Sequence, residues 1–130
     1  MELGEAIPNH RLWLFMSSHN FINYKEFENI DIRIGTVIEA YEYNELKKPS
    51  IILKIDFGEK IGIKKTSAQL QKYYKSDELI NKQVIAVVNF EPKQIGKIIS
   101  EVLVLGVPDL ENEPVLLSPD KRVNNGGKLY

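Results

Sequence analysis

The chain has 130 residues, 43% of them hydrophobic, which suits one domain with a real core. It has no cysteine, which excludes disulfides, thiol chemistry and cysteine-based metal sites. Both histidines, His10 and His19, fall in the first twenty residues, which excludes a histidine metal cluster or a Ser-His pair in the folded body. The formal net charge of −1 argues against a simple polybasic nucleic-acid binder.

Residues 1 to 20 show no usable period and read as an N-terminal extension, loose or artefactual; a start at Met16 would give MSSHNFINYKEF. The N-terminus has no basic start and only a short apolar patch, Leu12 to Met16, so it does not read as a signal peptide. No apolar run approaches the roughly 20 residues that span a bilayer, so a cytoplasmic protein without membrane insertion is expected. Tyr24 to Asn29 suit one helical turn. IDIRIGTVIEAYEY then alternates, with Ile30, Ile32, Ile34, Ile38 and Ala40 on one face and Asp31, Arg33, Glu39 and Tyr41 on the other. That pattern predicts a half-buried strand reaching about Tyr43, with Gly35 marking a bulge or a sharp barrel bend.

Asn44 to Pro49 predict a loop. In SIILKIDFG, Ile51, Leu53, Ile55 and Phe57 point inward and Lys54 and Asp56 outward, and KIGIKK returns as a hairpin. Thr66 and Gln69 read as a capping box for a helix from Ser67 to about Tyr74 that presents Leu70 and either Tyr73 or Tyr74 to the core. Ser76 to Ile80 form a second short turn. Two apolar runs, Val84 to Phe90 and Val102 to Leu105, flank a connector holding Pro92, Lys93, Gly96 and Lys97. Their Val, Ile and Leu content and short length predict strands, with the connector a loop or hairpin whose tip is basic. Ser100 and Glu101 open the second run as a polar pair, either at an exposed strand end or facing a ligand groove.

Charge is unevenly spread. Residues 47 to 75 hold eight lysines against two acids, Asp56 and Glu59, an excess able to attract phosphates or merely to form a solvated face. No P-loop, GxGxxG, GxSxG or HExxH occurs, and acid pairs such as Asp77-Glu78 sit in polar turns. The expectation is therefore a binding protein and not an enzyme, with no cofactor and no metal. Phe90 continues an apolar run and reads as core; Tyr41 and Tyr43 are the better exposed stacking candidates.

Four segments in order, IDIRIGTV, IGIKKTSAQL, INKQVIAVVNF and SEVLVLG, resemble the small tRNA-binding-domain proteins, nearest to the export-related chaperones of the CsaA type. The resemblance spans roughly residues 24 to 124. It implies an all-β fold with one or two short helices: a five-stranded OB-fold Greek-key barrel over residues 21 to 106, with terminal extensions. It implies tRNA and unfolded or extended polypeptides, such as preproteins in export, as partners. Dedicated structure-specific tRNA binding, or service as an aminoacyl-tRNA synthetase accessory module, is the alternative.

Carried over by motif, the implied tRNA-binding residues are Lys48 and Lys54 around the second strand, Lys93 and Lys97 in the connector, and Ser100 and Leu103 at the last strand. Leu103 stands where relatives often have methionine. Ile98 and Ile99 stand where an aromatic or basic residue is common, which favours a more apolar ligand. The family forms homodimers through its extensions. The surplus apolar segment Pro114 to Leu117 agrees, so residues 107 to 130 are expected at a dimer interface through Val115, Leu116 and Leu117. Packing along the same barrel is the other reading. Asn124 to Gly127 read as a turn near a frayed end.

Overall fold

The computed structural model describes residues 20–130, so the reading of an N-terminal arm, the start at Met16 and both histidines lies outside the described residues. The chain divides into two compact units, Met1–Ile30 and Asp31–Tyr130. In the first, helix α1 (Tyr24–Glu28) is set by a capping box. The Asn23 side chain accepts from the Glu26 amide at 2.9 Å, and the Glu26 carboxylate accepts from the Asn23 amide at 3.0 Å. The expected helical turn is there.

The second unit is built on β1 (Ile32–Tyr43), β2 (Ser50–Asp56), β3 (Ile63–Ala68), β4 (Gln83–Val87) and β7 (Leu103–Val104). They form one antiparallel sheet in the order β3-β2-β1-β4-β7. The β1–β2–β3 meander follows from alternating apolar residues joined by short loops, and β4 then returns to the free edge of β1. Ile51, Leu53, Ile55 and Phe57 are all buried as the alternation predicts, and they form the core with Val37, Leu70, Leu79, Val84, Ala86 and Val102.

The alternation of β1 breaks once. The register with β2 shifts between Val37 and Glu39, so Val37 turns into the core and Ile38, expected inside, is 38% exposed. An extra residue in one strand flips every side chain after it, and period-2 counting does not see this. Gly35 does not itself carry the bulge. A Cβ there would lie 2.5 Å from Ile55 Cγ2 and 2.7 Å from Phe57 Cδ1, so its missing side chain is what lets β2 curl over β1.

The helix expected from Ser67 to Tyr74 does not form. Ser67 and Ala68 continue β3, paired with Ile52 and Ile51, and in residues 69–75 only 71–73 form a turn, the rest being irregular. Thr66 fails as a helix cap because its hydroxyl is used across the barrel instead. Leu70 is nonetheless buried. The helical turn between the third and fourth strands is α2 (Ser76–Leu79), which buries Leu79.

The connector after β4 is a hairpin of β5 (Lys93–Ile95) and β6 (Ile98–Ser100). Gly96 takes φ +62° in its two-residue turn, where a side chain would meet Leu46 Cδ2 at 2.7 Å. A last hairpin, β8 (Gly106–Pro108) with β9 (Pro114–Leu116), follows. Leu116 packs against the barrel core, and Val115 stays exposed.

The end of the chain does not fray. Gly126 N–H donates to the Ile34 carbonyl at 2.7 Å, Ile34 N–H to Gly127 at 3.0 Å and Leu129 N–H to Ile32 at 2.9 Å. Gln83 exchanges hydrogen bonds with the Val123 backbone at 2.6 and 3.0 Å, and the Thr36 hydroxyl donates to Asn125 Oδ1 at 2.6 Å. Residues 107–130 thus belong to the same compact unit as the strands, with the tail strapped along the part of β1 that β2 leaves unpaired.

Replacing Gly35 with alanine is expected to cost about 1–3 kcal/mol in a urea melt, because the new methyl overlaps two fully buried side chains. An unchanged midpoint would show that β2 can retreat without loss.

Candidate nucleic-acid interface

Sheet closure fixes the site. Where β3 meets the end of β6, the Glu101 N–H donates to the Lys65 carbonyl at 2.8 Å, and the Glu101 carboxylate accepts from the Lys65 N–H at 2.9 Å. Beside this, the buried Thr66 hydroxyl donates to the Val102 carbonyl at 2.7 Å. Its one proton so used, Thr66 Oγ1 accepts from the Ser100 hydroxyl at 2.8 Å. The polar pair that opens the last apolar run is therefore a barrel seam. Both side chains also face open space.

Outside the seam lies a cavity of about 490 Å³ lined by Thr66, Ser67, Phe90, Lys93, Ile95, Ser100, Glu101 and Leu103, among others. A second depression, lined by Leu46, Lys47, Lys48 and Gln69, shares Ser67 and Ile95 with it. A third shares Lys48 and Gln69 with the second and continues to Gln71, Lys72, Asn112 and Glu113. The three make one trough, from an apolar, aromatic end at Phe90 to a basic middle at Lys47 and Lys48.

The residues singled out from sequence distribute unequally. Lys93, Ser100 and Leu103 line the first cavity, and Lys48 joins the second and third. Lys54 and Lys97 line none of the three; Lys54 lies 3.7 Å from Glu39 and Lys97 3.8 Å from Glu45, so each is partly neutralised. Lys47, Lys48 and Lys93 have no ion pair among the described residues. The two isoleucines split by strand alternation, Ile98 buried and Ile99 exposed.

Phe90 corrects the sequence reading most sharply. It was expected in the core, but pairing of β4 with β1 ends at Val87 and Phe90 is 57% exposed at the cavity. The signal was the neighbouring Pro92, which has no N–H for a ladder and marks the chain leaving the sheet. Tyr41 is exposed on the outer face of β1, whereas Tyr43 is half-buried. Lys47, Ser67 and Ile95 were not singled out, because only folding brings them together.

The far end of the trough is held by a polar cluster. The Asp109 carboxylate accepts the Tyr73 hydroxyl and the backbone N–H groups of Glu111 and Glu113, the latter two at 2.8 and 2.9 Å. Lys72 pairs with Glu111 at 2.8 Å, and the Leu116 N–H donates to the Tyr74 hydroxyl oxygen at 3.0 Å. Together these tie the turn after β3 to the β8–β9 hairpin. The Tyr73 hydrogen bond, then the Glu113 N–H, hold the Asp109 carboxyl below the ordinary carboxylate range. The same Asp109 contact raises the Tyr73 hydroxyl above its ordinary value.

Barrel and trough together define an OB-fold binding domain, with its groove between the strand face and the loops. Residues 32–128 match the family model of the tRNA binding domain, tRNA_bind, and the chain belongs to that family. The structure is similar to chaperone CsaA of Picrophilus torridus, at 50% identity and TM-score 0.78, covering 85% of this chain and 100% of that one. It is equally close in shape to chaperone CsaA of Bacillus anthracis, at 46% identity and TM-score 0.78, covering 85% of this chain and 99% of that one. Methionine–tRNA ligase of Pyrococcus horikoshii is 38% identical over 109 residues, which is 84% of this chain and 14% of the ligase. The chain thus spans a small fraction of the curated ligases it matches.

A carboxyl held low contributes stability above the ordinary carboxylate range and loses it as pH falls through its native value. A hydroxyl held high contributes below its ordinary value and loses it as pH rises through its native one. The hairpin should therefore be held through the neutral range and loosen in acid. Amide exchange in β8 and β9, corrected for intrinsic rates, is expected to show falling protection at acid pH that Asp109→Asn abolishes. Equal pH dependence in both proteins would remove Asp109 from that role.

Proposed function

We propose that the protein binds tRNA along the trough, without catalysis, as a homodimer in the cytoplasm. The carrying observation is the continuity of unpaired lysines, a hydroxyl-lined seam and an exposed aromatic on one concave face. Lys48 and Lys93 meet backbone phosphates from the two sides of the trough. Phe90 offers its face to an unpaired base, and Leu103 and Ile95 pack beneath the sugar or base edge. Lys54 and Lys97, already shared with Glu39 and Glu45, contribute less. The near-zero net charge and this small set of cations point to recognition of tRNA shape and single-stranded elements over bulk phosphate attraction.

A second reading rests on a separate feature of the same cavity, whose lining includes Phe90, Ile95, Val102 and Leu103. An apolar groove of this kind suits an extended, unfolded polypeptide, the chaperone reading that the CsaA neighbours support. In a dimer, Val115 would face the partner subunit and Leu116 and Leu117 would support it from the barrel side.

Titration of bulk tRNA at several salt concentrations tests the first reading. Lys48→Ala and Lys93→Ala should each take about 0.7–0.9 off the slope of log affinity against log salt, whereas Lys54→Ala and Lys97→Ala should take off less. Phe90→Ala should weaken binding by about 1–3 kcal/mol and leave the slope unchanged. Wild-type protein that shows no salt-dependent tRNA binding, yet suppresses aggregation of an unfolded client through Phe90, would make the polypeptide reading the right one. Light scattering should give twice 14.9 kDa.

A further inference from the structure

A separate cavity of about 250 Å³ is lined by Tyr74, Lys82, Gln83, Val84, Leu116, Ser118, Pro119 and Arg122. It shares no residue with the trough. Its polar lining is almost all donor. Lys82 and Arg122 have no ion pair among the described residues, and no Asp or Glu lines the space. Arg122 spends one N–H on the Asn81 carbonyl at 2.9 Å, which anchors the guanidinium and leaves its other donors open.

The Gln83 amide N–H groups are taken by Val123 and Asn125, so Gln83 has no donor left for the cavity. Tyr74 is the informative group. Its oxygen already accepts the Leu116 N–H, and its proton has no acceptor among the described residues. A half-buried hydroxyl proton without an acceptor, two unpaired cations and the Ser118 hydroxyl all border the same space. That combination is complementary to a compact oxyanion with several acceptor oxygens. The volume falls below the roughly 300–1,000 Å³ of drug-sized ligand pockets, which suits a single small anionic group.

We propose that this cavity is a phosphate site, filled by a free phosphate group or by one phosphate of bound RNA. Arg122 and Lys82 supply charge, and Tyr74 and Ser118 supply oriented hydroxyl donors. The residues come from the turn after β3, the start of β4 and the tail. An anion here would therefore clamp the tail to the barrel, in addition to the hydrogen bonds already joining them.

The test is a titration of the full chain with inorganic phosphate at constant ionic strength, followed by ¹H–¹⁵N spectra. Saturable shifts are expected at the amides of Val84, Leu116 and Ser118. Arg122→Gln and Tyr74→Phe should each weaken binding about tenfold, as loss of one hydrogen bond to a charged group does. Should Tyr74→Phe unseat Leu116, Lys82→Gln and Arg122→Gln, both at exposed positions, still decide the matter. Shifts reproduced by chloride, shifts confined to the lysines of the trough, or binding indifferent to Arg122 and Lys82 would overturn the proposal. An RNA source would make Arg122→Gln lower the tRNA salt slope by about 0.7–0.9. A free-phosphate source would leave that slope intact while phosphate binding is lost. Failure of tRNA to bind at all would remove the trough reading and leave the phosphate titration standing.

Discussion

The structure depends on one seam. Strand β3 would be an open edge if Glu101 did not exchange two hydrogen bonds with the Lys65 backbone while Thr66 held Ser100 and Val102. One of those ladder positions is filled by a carboxylate in place of a carbonyl. An open edge invites pairing with another chain, and closing a curled sheet on itself removes that hazard. The buried Thr66 hydroxyl is expensive to leave unmatched, which keeps the closure in a single register. Gly35 is the complementary device, since only a bare Cα lets Ile55 and Phe57 approach closely enough for the sheet to curl that far.

The trough follows from that closure. The seam sets the chain direction out of β4 and into the β5–β6 hairpin, so Phe90 and Lys93 stand over Ser67 and Ser100. The hairpin turn at Gly96 comes against Leu46, which places the loop of Lys47 and Lys48 beside it. A rigid barrel carrying variable loops is a common way to present a binding surface. Here the polarity of the surface changes along its length, from the apolar surroundings of Phe90 to the lysines at 47 and 48.

The tail has more to do than extend the chain. The N–H groups of Gly126 and Leu129 and the carbonyl of Gly127 occupy the part of β1 that β2 leaves free, and Gln83 with Asn125 fills the polar corner between them. The Asp109 and Lys72 cluster does the same for the β8–β9 hairpin. The tail attachment rests on buried partners, Ile32, Ile34, Thr36 and Gln83, whereas the Lys72–Glu111 pair is exposed and worth little by itself.

Much of the barrel was determined by sequence alone. Alternation in 51–57 named Ile51, Leu53, Ile55 and Phe57 as inward, the stretch from Tyr24 to Asn29 read as one helical turn, and the ordered motifs named the family. Local patterns suffice there because each strand's period, each turn's glycine and each cap is written within a few residues. Tertiary structure decided the rest. The bulge after Val37 reversed Ile38, the pairing with β2 drew Ser67 and Ala68 into a strand against a plausible helix cap, and the end of pairing at Val87 released Phe90 into the groove. The trough joins residues from 46 to 114 that no spacing relates, and Lys54 and Lys97 lie outside it, each beside a carboxylate, Glu39 and Glu45. Hydrophobic periodicity is local information, whereas sheet closure and charge pairing are settled by partners distant in the chain.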